Sequence, residues 1–269
     1  MLGSDVTQTI AGHTPTPVKA ALRVAVWAAS ALGVVWLVFN AFDIAKAIRT
    51  DMTGAKMLHV VWLGVLTFLR VVAMSVIATL IWTPIGVWIG LRPRIAEKVQ
   101  PLAQFLAAFP ANVLFPIAVI GILAFHLSAD IWLSFLIIFG TQWYIVFNVI
   151  AGATAYPNDL KEAAANFRIS GWTWWRKVIL PGIFPYYVTG ALTASGGSWN
   201  AAIVAELASW GNTQVEARGL GSYIAEATTA GDFHRIVLGI GTMSLFVVVI
   251  NRLFWRPLYY YAERKYRLT

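Results

Sequence analysis

Side chains capable of catalysis are present in this chain but are never grouped. The four histidines, His13, His59, His126 and His234, are scattered. There is no cysteine, which excludes a disulfide framework, a thiolate metal site and a cysteine nucleophile. No GxxxxGK[ST] run exists to cradle a nucleotide phosphate. A membrane-embedded enzyme would need a cluster of His, Asp, Glu or Ser inside its apolar segments, so the expectation is a non-catalytic chain without metal or cofactor of its own. The stretch with chemistry to offer is Asp159 to Pro181, and that chemistry is recognition. Tyr156-Pro157-Asn158 stops the preceding apolar run, and Asp159 with Glu162 three residues later predicts a capping-box start to a short helix. Ala163, Ala164 and Ala165 give that helix a small surface that permits close approach. Ser170-Gly171 offers a turn, and Trp172, Trp174 and Trp175 with Arg176 and Lys177 suit a membrane interface. Leu180-Pro181 is expected to end the stretch. Capped in front, small-faced and anchored behind, it is built for another protein to grip.

A second group of polar residues lies inside apolar runs. Arg70 has two readings: an anion-attracting charge at the mouth of a pathway, or a long stem reaching the membrane interface. Gln142 and Asn148 fall within one run, as pathway lining or as hydrogen-bonding partners between helices. Thr189, Thr193, Gly196 and Asn200 recur at helical spacing and form a polar stripe beside the small residues Gly190, Ala194, Gly197 and Ala201. The helix carrying them has a packing face next to a polar face, and the same two roles are open for the stripe.

These residues must be positioned by membrane-spanning helices. The chain has 269 residues, 59% hydrophobic and 12% charged, with a mean hydropathy of +0.69, which places it in the polytopic membrane class. Apolar runs of spanning length recur at Ala20 to Phe42, Met57 to Leu91, Val99 to Phe125, Ile131 to Ala151, Gly182 to Leu207 and Ile236 to Phe254. The second exceeds one bilayer, so its part up to about Leu69 is expected to be a surface or tilted helix, with Arg70 at the join. The third is interrupted by Phe109-Pro110 and Pro116, which predicts a broken helix. Met1 to Val18 has no charged lead into a short apolar core, so the first run is expected to be an uncleaved span.

The net charge of +8 does not form the stripe that nucleic-acid binding needs; Lys and Arg gather at the ends of the apolar runs. With six spans, 14 of the 20 fall on one side and 5 on the other, with Arg70 at its join. The richer side is cytoplasmic by the positive-inside rule, which puts both termini and the 156–181 loop there. The domain reading is a tail over 1–19, an all-α transmembrane unit over 20–256 and a tail over 257–269.

The order Glu162-Ala163-Ala164, then Val178-Ile179-Leu180-Pro181 beginning fourteen residues after the last Ala, resembles the EAA loop of binding-protein-dependent ABC transporter permeases. The resemblance extends from about Val60 to the C-terminus. It includes Phe109-Pro110 and the segment from Gly196-Gly197-Ser198-Trp199-Asn200 to Glu206, and it leans toward the nitrate, sulfonate and taurine type. It implies a bacterial inner-membrane permease whose coupling helix, between the fourth and fifth spans, sits in a groove of a cytoplasmic ATP-binding subunit. That partner holds ATP and Mg. The resemblance further implies a second permease chain, identical or not, and a periplasmic or lipid-anchored solute-binding protein; the solute is a small one, an anion such as nitrate, a sulfonate or taurine. Asp159, Glu162, Ala163, Ala164, Arg168, Gly171, Leu180 and Pro181 are the coupling residues by this resemblance. One departure stands out: the family has Gly where this chain has Arg168, and Gly171 comes three positions late. Either the helix continues through Arg168 or Ser170-Gly171 makes the turn. The reading from another class is a stand-alone secondary transporter or channel, which would place ionisable groups at mid-membrane or show inverted repeats; neither is visible.

Overall fold

The computed structural model describes residues 54–266 and four isolated positions in the first apolar run, Trp27, Ser30, Leu32 and Val35, all helical. The remainder of the expected first span and both extreme termini lie outside the described residues. Helix α1, Gly54–Gly90, is a single 37-residue element. At 1.5 Å per residue it is ~55 Å long, against ~30 Å for a bilayer core. The surface helix expected up to Leu69 is therefore the first half of α1 and not a separate element. Helix α2, Pro93–Ala107, meets Ala111–Ala124 at a 76° bend. Pro110 holds the join in an extended conformation, so the broken third span arises at Phe109-Pro110. Pro116 breaks nothing, because it lies in the first turn of α3, Phe115–Ala124, where a missing N–H has no helical partner to lose.

Helix α4, Ala129–Thr154, follows, then α5, Asn158–Asn166, and α6, Gly171–Ala205. The strands β1, Leu207–Trp210, and β2, Thr213–Glu216, form an antiparallel hairpin in which Trp210 pairs with Thr213. Gly211, in the left-handed region, closes it. Helices α7, Leu220–Thr229, and α8, Phe233–Tyr266, complete the order. Four helices among the described residues are long and apolar enough to cross a membrane, five if the bent pair counts as one span. The protein is thus an all-α polytopic membrane protein with one small hairpin that the sequence did not announce.

Leu180-Pro181 does not end the segment before the fifth span, contrary to the sequence expectation. Helix α6 runs through it, with a π turn at Trp175–Ile179. A wide turn of this kind relieves the carbonyl crowding and absent N–H that Pro181 imposes. A second π turn, Asn251–Trp255, interrupts α8, and α8 then continues through residues assigned from sequence to the tail.

Helix α4 is the centre of the packing. On one side Gly86 lies against Val149, and Gly90 against the Ile150 carbonyl. On the other, Gly190 faces the Tyr144 carbonyl and Asn148, and Gly197 faces Tyr144 and Thr141. Ile145, Val149 and Ala153 fill the layer between Val87 of α1 and Ile183 and Ala194 of α6. The small face of α6 thus packs on α4 by close backbone approach. A Cβ on Gly190 would lie 2.7 Å from the Tyr144 carbonyl, whereas one on Gly196 meets nothing within 4 Å. Gly190→Val is expected to destabilise the protein by ~1–3 kcal/mol, read as a fall in thermal midpoint in detergent, while Gly196→Ala holds or raises it.

Candidate functional site

Two sites sit at opposite ends of the spans. At one end is α5. It begins at Asn158, preceded by Pro157 in an extended conformation, and no side chain caps it. Asp159 is therefore inside the first turn, where its charge favours the helix dipole but it does not form the expected capping box with Glu162. The C-terminal turn corrects a second expectation. Ile169 N–H donates to the Ala164 carbonyl and Arg168 N–H to the Ala165 carbonyl, both at 2.9 Å, with Arg168 at φ 51°. This is a Schellman motif with arginine in the left-handed position that glycine usually takes. Arg168 itself makes the turn; the helix neither continues through it nor waits for Ser170-Gly171. Gly171, at φ 60°, then redirects the chain into α6.

Helix α5 rests on the base of α6. Tyr156 donates its hydroxyl to the Val178 carbonyl at 3.2 Å, and its ring fills the space that a side chain on Gly182 would need. Burial pushes the Tyr156 phenol above its ordinary value, which keeps it a neutral donor. Ala164 is buried in the seat, beside a 340 Å³ cavity lined by Leu160, Ala163, Phe167 and Pro181 among others. Asp159, Glu162 and Arg168 are exposed, and Phe167 is 80% exposed. Six of the eight coupling residues thus gather at α5, its closing turn and its seat; Gly171 stands at the entry to α6, and Leu180 faces a neighbouring cavity.

The pathway candidates divide. Thr189, Thr193 and Asn200 are all exposed along one side of α6, and Asn148 joins them across the contact with Gly190. Thr189 and Thr193 donate to the Pro185 and Thr189 carbonyls of their own helix, and Asn148 donates to the Tyr144 carbonyl. Asn200 makes no side-chain hydrogen bond among the described residues. Gln142 is elsewhere, buried and accepting from Trp82 Nε1 at 2.8 Å.

Arg70 belongs to the second site, and its two sequence readings give way to a third. Its guanidinium is paired with Glu206, 1% exposed, and reaches Asp130 at 3.3 Å. Thr67 donates to the same Glu206 oxygen at 2.8 Å. The other oxygen accepts from Gly221 N–H at 2.7 Å and Ser222 N–H at 3.3 Å. The Leu220 N–H donates to Thr67 Oγ1 at 2.8 Å, and the Ala217 N–H to the Glu206 carbonyl at 2.8 Å. Glycine is required at 219 and 221, since a Cβ at either would strike the carboxylate. Asp130 also accepts from Arg218 N–H at 2.8 Å. This clamp joins α1, α4, α6 and the start of α7, and sequence reasoning missed it. The available signal was Thr67 and Arg70, one turn apart on one face of an apolar helix.

The fold is that of a helical membrane protein with an exposed short helix seated at one end of its spans. A family model described as the binding-protein-dependent transport system inner membrane component matches residues 82–267, and the chain belongs to that family. It is 30% identical over 191 residues to a bicarbonate transport system permease of Synechococcus elongatus, covering 71% of this chain and 66% of the relative. It is 27% identical over 184 residues to a nitrate import permease of Leptolyngbya laminosa, covering 68% and 62%. The chain thus spans just under two thirds of the length of these relatives. A chain of the inward-facing MetNI methionine ABC transporter shares the fold, with TM-score 0.61 and 17% identity over 78% of this chain and 99% of that one.

Two substitutions test the ends separately. Arg168→Gly should stabilise α5 by about 1 kcal/mol by relieving the left-handed arginine, seen as slower hydrogen exchange of its amides; faster exchange would contradict the Schellman assignment. Glu206→Ala should cost ~3–5 kcal/mol, because it strands a buried guanidinium and the N–H groups of α7. An unchanged thermal midpoint would remove the clamp from the account.

Proposed function

We propose that this chain is the membrane permease of an ATP-driven importer for a small oxyanion, with α5 as the element gripped by a cytoplasmic ATP-binding subunit. The observation that carries the coupling part is the exposure of α5: Ala164 is buried toward the protein, and Glu162 and Phe167 are exposed. An exposed phenylalanine beside a charged helix surface at a membrane boundary is suited to a soluble partner's groove. Closure of two such ATP-binding subunits would move α5, and α6 continues rigidly from its seat. Transport then follows from the partner's different affinity for two conformations, with ATP and Mg held by the partner.

The substrate class rests on the relatives, whose names specify bicarbonate and nitrate. Both are planar monoanions with three oxygens. The polar stripe of α6 is the lining we assign to the pathway. Lipid would leave the Asn200 amide unsatisfied, so this face is better matched to water or to a second permease chain than to hydrocarbon. One chain supplies half of such a pathway, and a solute-binding protein would deliver the anion at the hairpin end. On this reading the α5 end and both termini are cytoplasmic, in a bacterial inner membrane.

A paired experiment checks both parts. Glu162→Lys is expected to leave the permease in the membrane but to detach or uncouple the ATPase, and Asn200→Leu to lower bicarbonate or nitrate uptake with the complex intact. Full subunit content and substrate-stimulated ATPase activity in the first variant would refute the coupling role. Unchanged uptake in the second would remove Asn200 from the lining.

A further inference from the structure

Next to the seat of α5 lies a second cavity, of 380 Å³, between α1, α6 and the end of α8. It shares Pro181 and Tyr266 with the seat. Arg176 lines it and has no ion-pair partner among the described residues. The phenols of Tyr187, Tyr261 and Tyr266 line it too, and no carboxylate does among the described residues. Lys265, which lines the adjoining seat cavity, donates to the Tyr261 hydroxyl at 2.9 Å and lies 5.6 Å from the centre of the Tyr266 ring. The remaining wall is apolar, with Leu180, Ile183 and Phe184.

Thr83, 7% exposed, belongs to the α1 side of the wall.

We propose that this cavity binds the phosphate of an anionic phospholipid, with Arg176 as the charged anchor. A guanidinium and several hydroxyls in one place match an oxyanion with multiple acceptor oxygens. The apolar wall suits the hydrocarbon attached to it, and basic pockets between spanning helices at a membrane face are a recurrent setting for lipid headgroups. The shared wall gives the lipid a consequence, since occupancy would brace Pro181 and Tyr266, which also line the cavity beside α5. The assignment does not depend on the transported substrate.

The test is titration of the delipidated, purified full-length chain with phosphatidylglycerol, followed by native mass spectrometry and thermal unfolding. Wild type should take up one lipid saturably with a rise in thermal midpoint, and Arg176→Gln should weaken that binding roughly tenfold or more. Arg94→Gln, an exposed arginine outside the cavity, should not. Arg176→Lys, which keeps the charge but not the planar fork, should recover part of the lipid-induced shift, a rescue that general misfolding would not produce. Equal phosphatidylglycerol binding by wild type and Arg176→Gln would overturn the site. Protection by inorganic phosphate alone, with no response to the lipid, would overturn the lipid assignment in favour of a free anion.

Discussion

The buried carboxylate of Glu206 is the constraint that the hairpin end of the molecule depends on. A carboxylate removed from water is tolerable only if its lone pairs are filled and its charge is met. Here the donors come from Thr67 and Arg70 of α1 and from two backbone amides at the start of α7. The end of one spanning helix, the side of another and the entry to the short helix α7 are thereby fixed relative to one point. Two glycines, 219 and 221, exist where the carboxylate leaves no room for a side chain. The hairpin is held to the same point, because Ala217, just after β2, donates to the Glu206 main-chain carbonyl.

Between this clamp and α5 there is one continuous helix. Since α6 runs from Gly171 to Ala205 without a break, a displacement at the seat of α5 has a stiff route to the far side of the membrane. Close packing against α4 through Gly190 and Gly197 is joined by one buried side-chain hydrogen bond, from Ser198 Oγ to Thr141 Oγ1 at 3.2 Å, so the two helices are held by contact and one polar tie. A mechanical role asks for this combination: a rod packed closely along one neighbour and tied firmly at its end.

Much of the frame was legible in the sequence because lipid imposes a simple code. Apolar runs of spanning length and charges at their ends locate spanning helices regardless of tertiary detail. Of the residues read from sequence for coupling, Ala163, Ala164 and Pro181 lie at the seat of α5 while Glu162 is exposed and Leu180 lines the neighbouring cavity; the packing face of α6 was legible through its small residues. What remained hidden depends on contacts distant in the chain. Thr67 and Glu206 are separated by 139 positions, and an acidic residue just past an apolar run reads as an ordinary loop charge. The turn at Arg168 was hidden for the opposite reason. Local preference favours Gly171 for a left-handed conformation, and the Schellman hydrogen bonds of α5 override that preference at arginine. Proline misled in both directions: Pro116 starts a helix, and Pro181 lies within one behind a π turn.

The π turn at Trp175–Ile179 has a consequence for how related chains should be compared. It carries one residue more than an α turn, so everything after it in α6 is rotated by ~100° from where a uniform α period counted from Gly171 would place it. The polar stripe keeps its aim, and the wide turn absorbs that surplus residue. In a homologue lacking it, the same stripe would face the same way with one residue fewer before Leu180. The single-residue gap in an alignment therefore belongs inside the tryptophan-rich segment, and insertions or deletions accepted by evolution in this helix should collect there and not among the residues that follow.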